Sequence, residues 1–335
     1  MRSRSLFLLP ILLSVAPAVE LAGQGYISPY DVFVFGDFTH INSETNGRIA
    51  IGGNADMTNW GVGQFLPVGY SDYSLVVRGN LTSLEGGVFQ GRTYVGGTIS
   101  AVNTGFPAQY PPESGTSPVS FDSEIARLTA ISNGYAAMAT NATTQYNGGQ
   151  LQFLGGAGVN VFSVTIAMLQ AATAGYAFVN PGGATNIVNV LGNSGTSAFN
   201  NDGFFFDCLD ANDANSCQTG ANESTPAAAA RTVWNFNQQT TLSLDSPDHD
   251  TPVHGSLFAP NAFVTFGYGD VVGNVVVGSA TSHAEYYANH DFVGELPPPS
   301  ETPEPATLGL VATGFIGLAG AARLRKRHAH SSRQR

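Results

Sequence analysis

Val32-Phe33-Val34-Phe35-Gly36-Asp37 and then Ile49-Ala50-Ile51-Gly52-Gly53-Asn54 set a pattern of short apolar runs that end on glycine and a polar residue. The pattern returns at Leu75-Val76-Val77-Arg78-Gly79-Asn80 and at Tyr94-Val95-Gly96-Gly97-Thr98, so Gly36, Gly52, Gly79 and Gly96 stand 16, 27 and 17 residues apart. Two of those steps agree, and the long one holds an insertion around Trp60 to Tyr73. Towards the C-terminus, Val253-His254-Gly255-Ser256-Leu257-Phe258 and Val271-Val272-Gly273-Asn274-Val275-Val276-Val277 add one more step, 18 residues from Gly255 to Gly273. Branched and aromatic residues favour extended chain. Short strands with glycine corners at a nearly constant step predict a β-solenoid, in which each coil buries its apolar face only by stacking on the next. A β-sandwich with regular turns is the alternative architecture.

Outward from these strands the pattern changes. Gly105 to Pro118 is rich in Pro, Gly and Ser and reads as a loop. Ser120 and Asp122 are then capping candidates for a helix that runs through Glu124-Ile125-Ala126-Arg127-Leu128 to about Thr140. Phe121, Ile125, Leu128, Ile131, Tyr135 and Met138 recur at three- and four-residue steps, the stripe of a helix laid along a sheet. Ala221 to Ala230 and the Asn-rich segments read as surface loops. The expected body is one mainly β domain over residues 24–299 with a single long helix alongside.

The two ends read as export signals. Arg2 and Arg4 precede an apolar run from Leu6 to Val15, and Ala16-Pro17-Ala18 offers small residues to a signal peptidase, so residues 1–18 form a secretory signal with Ala22 or Gly23 as alternative cleavage points. At the other end, Thr302-Pro303-Glu304-Pro305-Ala306-Thr307 leads into an apolar segment over 308–322, followed by Arg323, Arg325, Lys326 and Arg327 within a 302–327 sorting region. Fifteen residues fall short of the roughly twenty that cross a hydrocarbon core unaided. The basic tail holds the cytoplasmic side and leaves the body outside. Between the ends, residues 19–300 carry five arginines and no lysine against 22 Asp and Glu. Such a surface repels nucleic acid and anionic lipid, which are bound through Lys and Arg, and it suits cations and a solvated life outside the cell.

The Pro303-Glu304-Pro305 tripeptide, the apolar segment and the Arg-rich end, in that order, resemble the PEP-CTERM sorting signal of Gram-negative bacteria. That resemblance implies recognition by a membrane-embedded exosortase, cleavage near Pro303 to Pro305, a transient inner-membrane anchor, and delivery to the cell surface or extracellular matrix in organisms that make exopolysaccharide. The body resembles the choice-of-anchor A family of bacterial surface proteins through Tyr30-Asp31-Val32-Phe33-Val34-Phe35-Gly36-Asp37, Gly47-Arg48-Ile49-Ala50-Ile51-Gly52-Gly53, Val233-Trp234-Asn235-Phe236 and Val253-His254-Gly255-Ser256-Leu257-Phe258-Ala259-Pro260-Asn261-Ala262. The last of these runs is similar also to the closing coil of the ice-binding β-solenoids, which carry a helix alongside. The family supplies no catalytic residues to carry over.

Candidate sites follow from the residues themselves. Cys208 and Cys217, the only cysteines, read in an exported protein as one disulfide closing a surface loop, whereas a metal-binding pair lacks His or further Cys nearby. The loop between them, with Asp207, Asp210, Asn212, Asp213 and Asn215, offers the hard oxygen ligands that calcium prefers, although its spacing departs from an EF-hand. A solvated acidic loop is the plain alternative. His283, Glu285, His290 and Asp291 cluster near the end of the body, but their spacing is not that of a zinc hydrolase, and Tyr286, Tyr287 and Phe292 read as a terminal coil packing down. No nucleophile elbow or phosphate loop occurs. The expected activity is therefore non-catalytic adhesion, to exopolysaccharide or a matrix protein. Ice binding is the second reading, though Thr39, Thr58, Thr82, Thr93 and Thr98 do not form a regular row along the sequence. An exported carbohydrate-active enzyme with a pair of carboxylates is the third.

Overall fold

The computed structural model describes residues 27–192, 194–195, 199, 203–213, 216–219, 226–244, 252–287 and 291–297. The first strands are β1 (Val32–Val34), β2 (Phe38–Thr45), β3 (Ile49–Ile51), β4 (Ala55–Val62), β5 (Tyr73–Val77), β6 (Leu81–Val88), β7 (Arg92–Val95) and β8 (Ile99–Gly105). They pair in parallel one coil apart: Val32 lies opposite Ile49, Ile49 opposite Leu75 and Leu75 opposite Thr93, while β2, β4, β6 and β8 form the adjoining face. The long step comes from the connection between β4 and β5. Trp60 itself belongs to β4, where it is buried and donates from Nε1 to Ser83 Oγ at 2.8 Å.

The glycine corners stack directly on one another. Gly53 N–H donates to the Gly36 carbonyl, Gly79 to Gly53 and Gly97 to Gly79, each at 2.9 Å. Beside them the next residues form a side-chain ladder, with Asn54 N–H donating to Asp37 Oδ1 (2.7 Å), Asn80 N–H to Asn54 Oδ1 (2.9 Å) and Thr98 N–H to Asn80 Oδ1 (2.8 Å). A Cβ at Gly53 would sit 2.4 Å from Asp37 Oδ1 and 2.5 Å from the Gly36 carbonyl carbon. Glycine is needed there because one coil's backbone lies against the next.

Helix α1 (Phe121–Ala137) follows the loop, ending three residues before the expected Thr140 because Met138 turns extended. Ser120 occupies the N-cap without a side-chain bond, and Asp122 pairs instead with Arg78 at 2.6 Å on the exposed side. The apolar stripe does what its spacing predicts. Phe121, Leu128, Ile131 and Tyr135 bury against Phe33, Ala50, Val76 and Phe258 on the outside of the parallel sheet, each fully buried large side chain contributing roughly 1.5–3 kcal/mol.

Beyond the helix, β9 (Thr143–Asn147), β10 (Gln150–Leu154), β11 (Val159–Thr165), α2 (Ile166–Gln170), β12 (Tyr176–Val179), β13 (Thr185–Leu191), β14 (Ser194–Gly195), β15 (Phe204–Phe206) and β16 (Gln218–Thr219) alternate between two sheets. β9, β10, β12, β15 and β16 make a separate five-stranded sheet, whereas β11, β13 and β14 join the large one. The last strands are β17 (Thr232–Asn235), β18 (Thr241–Leu244), β19 (Val253–His254), β20 (Ser256–Phe266), β21 (Asp270–Val272), β22 (Val275–Ser282) and β23 (Glu285–Tyr287). They continue the parallel stack in the order β11, β13, β17, β20, β22, and β22 then receives β1, Val32 pairing with Val275 on one side and Ile49 on the other. The first of the described strands therefore lies within the stack and not at its end. The result is mainly β: one 18-stranded parallel sheet in a nearly closed, solenoid-compatible shape, with few helices.

Two features run against the reading of the middle segment. A second sheet stands where only a helix and loops were expected, and several asparagines read as surface loop are interior. Asn160, Asn186, Asn189 and Asn235 are all buried. Asn235 Nδ2 donates to Asn189 Oδ1 (2.8 Å) and to the Ser132 carbonyl (3.0 Å), Ser132 Oγ donates to Asn235 Oδ1 (2.7 Å), and Asn189 Nδ2 donates to the Tyr135 carbonyl (2.8 Å). The amides satisfy one another along the coils and pin the helix, which is how buried polar groups avoid a desolvation penalty. The two sheets are joined by an aromatic core around Trp234, whose ring meets Phe153, Tyr176, Phe178, Phe199 and Phe204 edge-on and whose Nε1 donates to the His254 carbonyl at 2.9 Å.

Candidate functional site

Parallel stacking brings residues far apart in the chain into rows. On the face built from β18, β20, β22, β2, β4, β6 and β8, Ser243 lies beside Thr265, Thr265 beside Thr281, Thr281 beside Thr39, Thr39 beside Asp56, Asp56 beside Thr82, and Thr82 beside Ser100. All seven are partly or fully exposed, and on every strand but β8, whose residues are exposed on both faces, their sequence neighbours are buried. Seven strands at about 4.8 Å spacing give a row about 29 Å long, with six hydroxyls and one carboxylate.

Parallel to it runs an apolar row, Ile41, Thr58, Leu84 and Val102, and then a column of residues in left-handed backbone: Asn42 (φ 55°), Asn59 (49°), Glu85 (56°) and Asn103 (50°). Asn59 Nδ2 donates to Asn42 Oδ1 at 3.2 Å. The repeated kink sits at the same place in four successive coils, and it keeps the strands in register on both sides of it. Hydroxyls and apolar groups thus lie side by side on one face of the sheet.

Of the threonines read as irregular in the sequence, Thr39 and Thr82 share the hydroxyl row, Thr58 sits one row over, Thr93 is buried and Thr98 belongs to the corner ladder. The row was hidden because its members come from both ends of the chain with unequal connections between them.

A second feature is a cleft of about 690 Å³ between the β1–β3–β5 edge and the start of α1, lined among others by Tyr30, Arg48, Asp72, Ser120 and Arg127. Its charges are already engaged. Arg48 donates to the Tyr73 carbonyl (2.8 Å) and to Asp72 (3.0 Å), and its guanidinium lies 4.6 Å from the centre of the Tyr30 ring. Arg127 is held by Glu124 and by the Ile27 carbonyl. Beneath it Asp31 is buried and accepts the Arg48 backbone N–H at 2.5 Å, and burial pushes its carboxyl up to about 7. Burial also pushes the Tyr30 hydroxyl up to about 12.

The sequence-predicted sites fall as follows. Cys208 and Cys217 are joined, with sulfurs 2.04 Å apart. In the loop between them Asp210 Oδ1 accepts from the Asn212 backbone (2.8 Å) and side chain (3.2 Å), and Ser216 Oγ donates to the Asp213 carbonyl (2.6 Å). Burial raises the Asp207 carboxyl. Asn215 lies outside the described residues. Among the described residues no three His, Cys, Asp or Glu side chains converge as metal ligands, and Asp207 Oδ1 is buried without a hydrogen-bond partner. His290 is outside the described residues, while Glu285 accepts from Asn46 (2.7 Å) and Asp291 from Asn274 (2.8 Å), so these two acids serve separate structural bonds and Tyr286 packs into the core. Two carboxylate pairs act on each other: Glu44 lies near Glu285 where β2 meets β23, partial burial and then Glu285 raising the Glu44 carboxyl, and Asp291 adds to the burial that raises Asp31. Pro303, Glu304, Pro305 and the 308–322 segment lie outside the described residues, and among the described residues no helix is long and apolar enough to cross a membrane.

Two family models match the chain. One, described as "Putative Ice-binding-like adhesive domain", covers residues 23–287, and the other, the PEP-CTERM protein-sorting motif, covers residues 301–326. No curated protein and no solved structure matches it.

Proposed function

We propose a non-catalytic adhesin for this chain, which belongs to the ice-binding-like adhesive domain family and is exported and sorted by an exosortase. In this reading the body is a β-solenoid of the choice-of-anchor A kind. It leaves its transient inner-membrane anchor after cleavage near Pro303 to Pro305, and it associates with exopolysaccharide at the cell surface or in a biofilm matrix. The observation that carries the ligand class is the sheet face on which the row from Ser243 to Ser100 runs beside Ile41, Thr58, Leu84 and Val102. A polysaccharide offers hydroxyls and C–H faces in alternation, and a long shallow contact suits a polymer better than a small molecule. The acidic body argues for neutral or cation-bridged chains over strongly anionic ones.

Ice binding is the second reading, and the hydroxyl row favours it in part. It would be better served by two equal threonine rows, whereas the companion row here is Ile, Thr, Leu and Val. The deciding experiment measures binding of the purified protein to a panel of neutral and acidic exopolysaccharides and matrix proteins, alongside Thr39→Lys and Thr82→Lys. Saturable binding to one polysaccharide class, weakened at least tenfold by either substitution, is the expected result. Binding to none of the panel, or binding indifferent to both substitutions, removes this face as the adhesive surface.

A further inference from the structure

The cleft between the β1–β3–β5 edge and the start of α1 holds two of the body's five arginines, and both are engaged on one side only. Arg48 spends Nε on the Tyr73 carbonyl and Nη2 on Asp72, while Arg127 spends Nε on Glu124 and Nη2 on Glu124 and the Ile27 carbonyl. Neither Nη1 has a carboxylate or carbonyl partner among the described residues. The two carboxylates, by contrast, are used at every oxygen. Asp72 Oδ1 accepts the Tyr73 N–H at 2.8 Å and Oδ2 accepts from Arg48, and Glu124 gives one oxygen to each bonded nitrogen of Arg127.

The remaining polar groups of the lining are donors as well. Tyr30 is only 5% exposed, burial holds the proton on its hydroxyl, and that proton has no acceptor among the described residues. Ser120 begins α1 without a side-chain bond, so no cap side chain meets the first N–H groups at the positive end of the helix dipole. Ser123, exposed in that first turn, makes no side-chain bond of its own. Asp72, Glu124 and the buried Asp31 offset the two arginines, so net charge does not select the ligand. What selects it is a set of donors left without acceptors and held in place, Arg48 being 15% exposed and stacked 4.6 Å from the Tyr30 ring centre. A carboxylate, with two oxygens and no hydrogen to give, answers such a set, and arginine's planar fork suits it. Phe33 and Val119 make part of the lining apolar, and about 690 Å³ leaves room for a ring-sized body beyond the carboxylate.

We propose that this cleft binds the carboxylate of a sugar acid, a uronic acid unit of an exopolysaccharide, with Arg48, Arg127 and Tyr30 as its donors. The choice of a sugar rests on the adhesin reading above, whereas the choice of a carboxylate rests on the cleft alone. An acidic body can in this way hold a chain that carries scattered acid units, since each unit is met by local donors and not by the surface as a whole.

The test is titration calorimetry on the full chain in detergent, with sodium glucuronate, glucose and inorganic phosphate as probes. Glucuronate should bind saturably and glucose should not, and the glucuronate affinity should fall as salt is added. Ser123→Asp places a carboxylate at the cleft in a first-turn position where it favours the helix, so it should weaken glucuronate at least tenfold without lowering the melting temperature. Arg127→Lys, which keeps the charge and loses the fork, should weaken it also. Glucuronate that fails to bind, binds no better than glucose, or is indifferent to Ser123→Asp overturns the proposal, and phosphate that displaces it equally well overturns the carboxylate. Thr39→Lys and Thr82→Lys separate this cleft from the hydroxyl face. Polymer binding that those two substitutions weaken, with no glucuronate binding, removes the cleft alone. Glucuronate binding beside polymer binding that is indifferent to them removes the face alone.

Discussion

Replacing Asp31 by Asn should change how stability depends on pH in a way that few single substitutions do. Asp31 is buried beneath the start of β1, its carboxylate accepts the Arg48 backbone N–H, and a Cβ on Gly47 would fall 2.0 Å from its oxygen. Burial raises the carboxyl from an ordinary 3.8 to about 7. A carboxyl whose folded value is raised stabilises the fold fully below its unfolded value and loses that contribution as pH climbs through the folded value. At 1.36 kcal/mol per unit, the loss is about 1 kcal/mol by pH 4.5 and about 4 kcal/mol by pH 8. Asparagine keeps an acceptor for Arg48 and has no charge to bury. The advantage of Asp31→Asn over wild type should therefore grow by about 3 kcal/mol between pH 4.5 and pH 8 in urea unfolding measured at each pH. All other titrating groups are shared by the two proteins and cancel in the difference. A gap that stays constant within about 0.5 kcal/mol would show that Asp31 ionises normally in the fold and that the burial argument is wrong.

His40 carries the opposite sign: it is fully buried against Phe38, and burial lowers its ring to about 4, so His40→Leu should gain on wild type by about 3 kcal/mol as pH falls from 7 to 4 in the same assay. Gly53→Ala should cost about 2–3 kcal/mol in urea unfolding because its Cβ meets the neighbouring coil, whereas Gly156→Ala, with open space around it, should be near neutral; equal costs would refute the corner-stacking account. Glu85→Asn should stabilise by about 1 kcal/mol, since asparagine tolerates the left-handed backbone that glutamate is forced into there. Excess calcium should raise the melting temperature through the loop of Asp207, Asp210, Asn212, Asp213 and Asn215, in which Asp207 keeps a buried carboxylate oxygen without a hydrogen-bond partner; no shift in excess calcium would retire the loop as a calcium site. Changing Pro303, Glu304 and Pro305 together to Ala should trap the full-length form in the inner membrane, seen by fractionation and blotting, and normal maturation would refute the cleavage point.

The strands and corners were legible because the features that make them are local. Apolar alternation and a glycine at the turn act within a few residues, so the steps from Gly36 to Gly96 read almost as they stack. What could not be read is the junction of β1 with β22, since nothing in Val32-Phe33-Val34 singles out Val275-Val276-Val277 as its neighbour. Any strand of matching width and apolar face would serve, and the choice is made by connections across some 240 residues. The buried asparagines were missed for a related reason. Asn160, Asn186 and Asn189 are polar enough to look like loop, and only the stacking supplies each amide with a partner on the adjacent coil or on α1.

The same distinction explains why the runs that carry the sequence resemblance say more about fold than about ligand. Tyr30-Asp31 and Gly47-Arg48 belong together because Asp31 takes the Arg48 N–H while the Arg48 side chain covers the Tyr30 ring. Val233-Trp234-Asn235-Phe236 supplies the Trp234 core and the Asn235 anchor for the helix, and the run from Val253 to Ala262 carries the strand that lies between β17 and β22. Each of these runs solves a packing problem. The proposed adhesive face uses none of their side chains. Its residues, Thr39, Asp56, Thr82, Ser100, Ser243, Thr265 and Thr281, point away from the core at positions where packing asks only for a strand-compatible residue. A surface of that kind is free to change its ligand while the coils beneath it stay the same, so specificity in this fold is to be sought in the outward rows, coil by coil, and not in the runs that build the core.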